Sequence, residues 1–251
     1  MHLQSFGNIS LSWEFFFGFL SIILIDLILA GDNAVVIAMA VRSLAPKQRR
    51  QGITLGAAGA VILRVGLTFV AAQLLSISLV KFFGGVLIAW IAVKLFIEGA
   101  PEDDKFQRQA KTLGQAVVTV MIADLVMSVD NILAVAGASN GNLFLLIFGL
   151  GLSIPFVVFT ANLLSMLMDK YPVIVYLGAL VLGRVAGEMI ITDSLIHNLL
   201  HPDQWTVYAV QAFFAVGVIA TGKLWLKWKI VRQTPAVETK IKPALTIAEG
   251  E

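Results

Sequence analysis

Long apolar runs separated by short polar stretches dominate the chain, and this pattern predicts membrane-spanning helices. A helix needs about 20 apolar residues to cross the hydrocarbon core of a bilayer. Seven runs are close to that length or longer, at about 15–41, 53–77, 82–97, 113–138, 143–168, 173–191 and 207–226. The predicted fold class is therefore an all-α polytopic membrane protein with seven transmembrane helices.

The polar stretches differ in their content of Lys and Arg, and this difference predicts the orientation. Most basic residues follow the first, third, fifth and seventh runs, whereas the alternate loops contain only Lys81. Cytoplasmic loops are enriched in Lys and Arg, so the N-terminus is predicted outside and the C-terminus in the cytoplasm. Residues 1–10 lack the basic region of a cleavable signal peptide, so the first run is predicted to be retained.

Two polar motifs recur inside these runs, DLILAGDN at 26–33 and DLVMSVDN at 124–131. Each copy comprises three spans, which is an odd number, so the copies enter the membrane in opposite directions, as in the inverted repeats of secondary transporters. The seventh helix is an addition to this 3+3 plan. The predicted parts are a first repeat at 1–98, a cytoplasmic connector at 99–112, a second repeat at 113–193, an outer loop and seventh helix at 194–226, and a charged, solvated and poorly ordered cytoplasmic tail at 227–251.

Composition narrows the class further. The chain is 58% hydrophobic and 14% charged, whereas a soluble domain is nearer a quarter charged. A net charge of +2 gives no sign of a nucleic-acid partner. The absence of cysteine excludes disulfides, thiolate metal sites and iron–sulfur clusters.

The two motifs place acidic residues where lipid makes them costly, and such residues indicate function. On an ideal helix Asp26 and Asp32 lie about 120° apart, so one straight helix cannot direct both to one small ion. Either the first helix opens near residues 30–31, or the ion lies between the two copies. Oxygen donors of this kind suit magnesium, calcium and manganese. The predicted metal-site residues are Asp26, Asp32, Asn33, Asp124, Asp130 and Asn131.

The basic residues inside the spans are too few to balance four aspartates. Arg184 has Glu188 one turn away and is able to pair with it, which leaves Arg64. The remaining negative charge needs a bound cation or protonated carboxylates, so competition between a divalent cation and protons is the predicted mechanism. Arg64 either pairs with an aspartate when the metal is absent or is a fixed counter-ion. Arg184 and Glu188 are further candidates for a counter-ion or gating role.

Two weaker patterns accompany the motifs. Asp193, His197 and His201 are spaced four apart, as metal ligands on a helix would be, but an ordinary polar loop explains this short pattern better. Lys94 and Glu98 lie near the predicted cytoplasmic end of the third run. Snorkelling explains Lys94, and a position at the inner mouth is the alternative considered for Glu98.

The doubled D-x5-DN motif, ILRVGLTF at 62–69 and SIP at 153–155 together resemble the TerC family, and most of all its short YjbE-type branch within the LysE-like transporter superfamily. The likeness covers about residues 11–226. It implies an exporter of metal ions in the bacterial inner membrane, because members are associated with manganese efflux and, by name, with tellurium resistance. Carried over motif by motif, it implies the same six site residues.

The leading hypothesis is a secondary exporter of divalent cations, with manganese favoured over calcium or magnesium, no prosthetic group and no enzymatic activity. One alternative is an intramembrane aspartyl protease with Asp32 and Asp130 as the dyad, although residues 29–32 read LAGD rather than GxGD. A small-solute exporter of the LysE-like type is another. The predicted partners are the lipid bilayer and the transported metal ion, and a homo-oligomer is compatible with the sequence. The sequence does not specify which metal ion is transported, the direction of transport or the coupling ion.

Overall fold

The structure is a computed structural model that describes residue 20 and residues 31–75, 79–99, 112–139 and 143–248. Side chains at 69, 71–75, 130–139, 143, 145–146 and 229–248 are outside this description. Within these ranges the chain is helical and contains no β-strand, so the all-α class is confirmed. The helices are α1 (Gly31–Val41), α2 (Pro46–Leu75), α3 (Val80–Gly99), α4 (Leu113–Ser139), α5 (Leu143–Lys170), α6 (Val173–Ile191), α7 (Ser194–Leu200) and α8 (Gln204–Ala248).

Five stretches in the described part of the chain are long and apolar enough to cross a membrane. They lie in α2, α3, α5, α6 and α8, and the described part of α1 and residues Leu113–Val129 of α4 form shorter apolar helices. The chain is therefore polytopic in character, as predicted. The count of seven spans and the orientation stay predictions.

Helix α1 lies in the centre of the bundle. Ala34, Ala38 and Ala40 have no exposed surface, and Val36 and Ile37 are at most 3% exposed. A helix that is apolar on nearly all sides is one that other helices surround. The motif that ends with Asn33 therefore enters the core of the protein at the described start of α1.

Glycines allow two pairs of helices in the bundle to pack at short distances. A β-carbon at Gly56 of α2 would lie 3.0 Å from Val120, and one at Gly59 would lie 2.9 Å from Met121, both on α4. Helices α6 and α8 approach in the same way at Gly183. Small residues let helix backbones approach closely within membranes. The α2–α4 contact matters most, because it places the polar residues of these two helices within reach of each other.

The segment with the spaced histidines forms a short capped helix. Asp193 is 1% exposed, and its carboxylate accepts hydrogen bonds from the amides of Leu195 at 3.0 Å and of Phe82 at 3.3 Å. It therefore caps α7 and also joins α7 to the start of α3. His201 ends α7 in the left-handed conformation, with its amide donating to the His197 carbonyl. No group of three metal-ligating side chains occurs among the described residues, and the segment that was predicted as an ordinary polar loop is helical at Ser194–Leu200.

The C-terminal tail differs from its prediction. Helix α8 continues from the seventh apolar run through residue 227 to Ala248, where the sequence predicts a solvated and poorly ordered segment. Apart from Pro235 and Pro243, residues 227–248 are Lys, Arg, Glu, Gln, Ala, Leu, one Trp and the β-branched Val, Ile and Thr, which a helix accommodates at modest cost. The prediction of an irregular backbone is therefore wrong for this stretch.

Candidate functional site

A small polar cavity lies where helices α1, α2, α4 and α5 meet. Its volume is about 20 Å³, which is enough for one water-sized ligand. Each of the four helices contributes one polar side chain, and the rest of the lining is apolar. The polar side chains are those of Asn33, Arg64, Asp124 and Ser153.

An arginine and a carboxylate are paired at the edge of this cavity. Arg64 Nη2 lies 2.7 Å from Asp124 Oδ1, and the side chains are 5% and 8% exposed. The Arg64 Nε–H donates to Ser128 Oγ at 2.9 Å, and the Ser128 hydroxyl donates to Asp124 Oδ2 at 3.3 Å. Ion-assisted hydrogen bonds of this kind are strong, and here they neutralise a buried charge. The structure thus contains the arginine–aspartate pair that was one of the two alternatives for Arg64.

Local helix geometry explains this pair. Asp124 and Ser128 are one turn apart on α4 and share a face. Helix α4 is continuous from Leu113 to Ser139, so residues 128–129 do not interrupt it. The close contact of α2 and α4 at Gly59 brings Arg64, about one turn further along α2, against that face.

Asn33 presents an unused acceptor. The residue is 5% exposed, and its Oδ1 is buried with no hydrogen-bond partner among the described residues. Burying such an atom without a partner costs about 1–3 kcal/mol. Native proteins keep such atoms at few places, and these call for an explanation such as a ligand or a water. Asn33 is therefore the residue of the predicted set whose surroundings indicate a missing ligand.

Helix α5 adds a donor atom that the sequence analysis did not assign to the site. Ser153 is fully buried, and its hydroxyl donates to the Leu150 carbonyl at 2.7 Å, which leaves the Oγ lone pairs available. Two residues later Pro155 lies inside the helix and lacks the N–H that would bond the Gly151 carbonyl. The signal in the sequence was a serine just before a proline within an apolar run, which entered the analysis only through the family resemblance.

A second polar cluster surrounds Arg184 on α6. Its Nη2 lies 3.3 Å from Glu188 Oε2, and its Nε donates to Gln211 Oε1 at 3.4 Å. The Arg184 guanidinium also acts electrostatically on the half-buried Asp32. Asp32 does not line the small cavity, although Asn33, the next residue, does. The predicted Arg184–Glu188 pair is therefore present.

The six predicted site residues do not all come together in the described structure. Asn33 and Asp124 meet at the cavity with Arg64, whereas Asp32 does not line it. Asp26 lies outside the described residues. The side chains of Asp130 and Asn131 also lie outside them, although both backbones belong to α4.

A third charged cluster joins the ends of several helices. Arg42, which is 7% exposed, lies 3.4 Å from Asp169 through its Nε, and it also donates to the Gly99 carbonyl. Arg49 bonds the other Asp169 oxygen and donates to the Arg42 carbonyl at 2.8 Å. The sequence analysis counted both arginines only as loop charges. Asp169, an acid beside a basic loop, was the signal that it did not use.

Comparison with known proteins agrees with this membrane architecture. Residues 11–232 match the integral membrane protein TerC family. The uncharacterized membrane protein YjbE of Bacillus subtilis is 38% identical over 212 residues, which are 84% of this chain and 96% of YjbE. YceF of the same organism is 29% identical over 79% of each chain, and the inner membrane protein YgdQ of Escherichia coli is 25% identical over 78% of this chain and 86% of its own. No solved structure gives a significant match.

Proposed function

We propose a transport function for this chain, which belongs to the integral membrane protein TerC family. In this proposal the chain is a secondary transporter, not an enzyme, that exports divalent metal cations with manganese as the favoured substrate. The relative YgdQ is named an inner membrane protein, and this name supports the proposal that this chain lies in the bacterial cytoplasmic membrane. The proposal extends the family assignment to a substrate and a direction.

The observation that carries the proposal is the buried Asn33 Oδ1, which has no hydrogen-bond partner in the described part of the chain. It lines the small cavity together with the Asp124 carboxylate and the Ser153 hydroxyl. All three supply hard oxygen donors, which magnesium, calcium and manganese prefer to the nitrogen and sulfur ligands of zinc or copper. The three residues come from α1, α4 and α5, so a bound ion would join both motif-bearing helices.

Arg64 has the role of an internal cation in this mechanism. Removing one partner of a buried ion pair is strongly destabilising, so Asp124 needs a positive partner at every stage. Arg64 supplies it at 2.7 Å in this structure. A divalent cation, or a proton on the carboxylate, is able to replace Arg64 without leaving Asp124 charged and alone. This exchange supports a coupling of metal export to protons.

Two packing features support seven spans in a 3+3 inverted repeat with the N-terminus outside. Helix α2 packs against α5 and α3 against α6, which are the corresponding helices of the two copies. The third charged cluster brings together residues from the ends of the first, third and fifth spans, namely Arg42, Gly99 and Asp169. The proposed orientation places all three ends on the cytoplasmic side.

The test is manganese transport by the purified chain in liposomes, followed with an internal manganese-sensitive dye. Asn33→Ala and Asp124→Asn are each expected to lower the rate at low manganese by at least about tenfold, because even second-shell changes at metal sites cost 10- to 100-fold in affinity. Asn33→Ala is expected to fold normally, because the Asn33 Oδ1 accepts no hydrogen bond from the residues that the structure describes. Asn198→Ala, an exposed amide on α7, is the matched control and should transport as the wild type does.

Competition with other ions sharpens this test. Calcium and magnesium in excess should slow manganese transport more than zinc does, because the proposed donors are all oxygens. Unchanged manganese transport in both site variants, at wild-type amounts of folded protein, would refute the proposed site. Preference for zinc would refute the proposed substrate.

A further inference from the structure

A large groove runs along the outside of the bundle between α3 and α8, well away from the small cavity. Its volume is about 650 Å³, within the usual range for sites that bind a small molecule. One part of the lining is aromatic and the other part is charged. The residues that define it are Trp90, Lys94, Glu98, Phe213, Gly217 and Trp225.

The aromatic part of the groove is exposed on the outside of the bundle. Trp90 is 59% exposed, Phe213 73% and Trp225 53%. Trp90 lies near the middle of α3, whereas tryptophan in membrane proteins is enriched at the two interfaces. A mid-span tryptophan on the wall of a groove offers a large apolar surface to a chain that enters from the bilayer.

Small residues create the space between the two helices. A β-carbon at Gly217 of α8 would meet no described atom within 4 Å, so this position opens into the groove. Five residues later Gly222 lies directly against the buried ring of Phe96 of α3, and there the helices touch. Helices α3 and α8 are therefore apart near Gly217 and in contact near Gly222, so the groove is bounded where the two helices touch.

The charged part of the groove carries both signs. Lys94 and Glu98 are one turn apart on α3 and both are half-buried. The Lys94 amine lies 5.2 Å from the centre of the Trp90 ring, which fixes its place at the groove wall. Glu98 lies one turn closer to the C-terminal end of α3, which is the cytoplasmic end in the proposed orientation. An ammonium and a carboxylate thus follow each other from the apolar part towards the membrane surface.

We propose that this groove binds one phospholipid of the cytoplasmic leaflet that carries an ethanolamine head group. The acyl chain lies along Trp90 and Phe213, the phosphate contacts Lys94, and the head-group ammonium donates hydrogen bonds to Glu98. The order of charges along α3 matches the order in this lipid, in which the phosphate is nearer the acyl chains than the amine. Choline has no N–H to donate, and a glycerol head group has no positive charge to offer Glu98.

The experiment uses native mass spectrometry of the full chain in detergent, with added ethanolamine, choline and glycerol phospholipids of identical acyl chains. The wild type is expected to retain the ethanolamine lipid about tenfold better than either of the others, as the loss of one charge-assisted hydrogen bond predicts. Glu98→Gln should remove the preference for ethanolamine over choline. Gly217→Leu should lower retention of all three lipids, because leucine fills space that is open in the wild type.

The control is Lys170→Gln. The Lys170 amine also lies near an aromatic ring, 5.3 Å from the centre of Tyr171, but it does not line the groove. This variant should retain lipids as the wild type does.

Several results would overturn the assignment. The proposed recognition of the ethanolamine head group would be refuted by any of three results. These are equal retention of the three lipids by the wild type, a preference for the glycerol lipid, or an unchanged preference in Glu98→Gln. Retention in Gly217→Leu equal to that of the wild type would refute the groove. A lipid-free dimer that Gly217→Leu dissociates would assign the groove to a second copy of the chain instead. Manganese transport is a separate measurement, so failure here leaves the proposed metal site untouched.

Discussion

Two arginines within the apolar helices each pair with an acid, yet their surroundings differ. Arg64 reaches Asp124 on another helix at 2.7 Å, with both side chains less than 10% exposed. Arg184 reaches Glu188 on its own helix at 3.3 Å, with side chains 56% and 44% exposed. The first pair is held by the packing of α2 against α4, whereas the second needs only one turn of α6.

This difference indicates how a membrane protein uses charge in two ways. An ion pair between exposed side chains one turn apart forms within a single helix without the packing of a second one, and such pairs contribute little to stability. A buried pair depends entirely on its partner, so either group becomes costly once the other leaves. In the proposed mechanism, that dependence lets Asp124 exchange Arg64 for a transported cation. Arg184, which also acts on Asp32, is better suited to adjust the charge near the site than to hold the helices together.

The largest expected effect comes from removing one arginine at a time. Arg64→Leu should lower the free energy of unfolding by about 3–5 kcal/mol, because it leaves the Asp124 carboxylate buried without its cation. Arg184→Leu, the matched control, should cost about 0–1 kcal/mol. The measurement is chemical denaturation of each purified variant in the same detergent. Equal losses in the two variants would show that burial does not distinguish the pairs.

A pair of double-mutant cycles gives the next largest effect. The double variant Arg64→Leu/Asp124→Asn should lose less free energy of unfolding than the sum of the losses in the two single variants. The expected coupling energy is about 2–3 kcal/mol. The same cycle with Arg184→Leu and Glu188→Gln should give about 0.3–0.5 kcal/mol. Transport should stay absent in the Arg64–Asp124 double variant even as its stability recovers, since Asp124 is a proposed ligand. A coupling at Arg184–Glu188 as large as that at Arg64–Asp124 would contradict the comparison.

The sequence predicted the helices better than it predicted which residues meet. The sixth apolar run was predicted at about 173–191, and these are the bounds of α6. The ends of an apolar run are local signals, which can be read from the sequence alone. The helical tail beyond residue 227 was missed because charge and two prolines outweighed the helix-compatible residues between them.

The site was predicted in composition but not in arrangement. The sequence identified Asn33, Asp124 and Arg64, and helical spacing alone indicated that Asp26 and Asp32 point in different directions. It could not show that Asn33 lines a cavity between α1, α2, α4 and α5 whereas Asp32 does not, because that depends on how the neighbouring helices pack around α1. Contacts of this kind join residues far apart in the chain, and no local period encodes them.

The smallest expected effect concerns Asp203, which extends the comparison to a fully exposed acid outside the spans. Hydrogen bonds from the Thr206 hydroxyl and then from the Thr206 amide hold the pKa of Asp203 below its ordinary value of 3.8. A carboxyl whose pKa is lowered by folding adds stability above the ordinary value, and this stability is lost as the pH falls through the folded value. The start of α8 should therefore loosen only in acid below about pH 4.

Hydrogen exchange of the amides at the start of α8 measures this effect locally. Asp203→Asn keeps a capping side chain but does not titrate, so its exchange rates should show less pH dependence beyond the intrinsic one than those of the wild type. Asp203→Ala should raise exchange at neutral pH as well, because it removes the acceptor for the Thr206 amide. Rates in Asp203→Ala equal to the wild type would mean that this exposed acid contributes nothing. The stabilising effect of an acid, which is expected to fall from Asp124 to Glu188 as exposure increases, would then be too small to measure for a fully exposed acid.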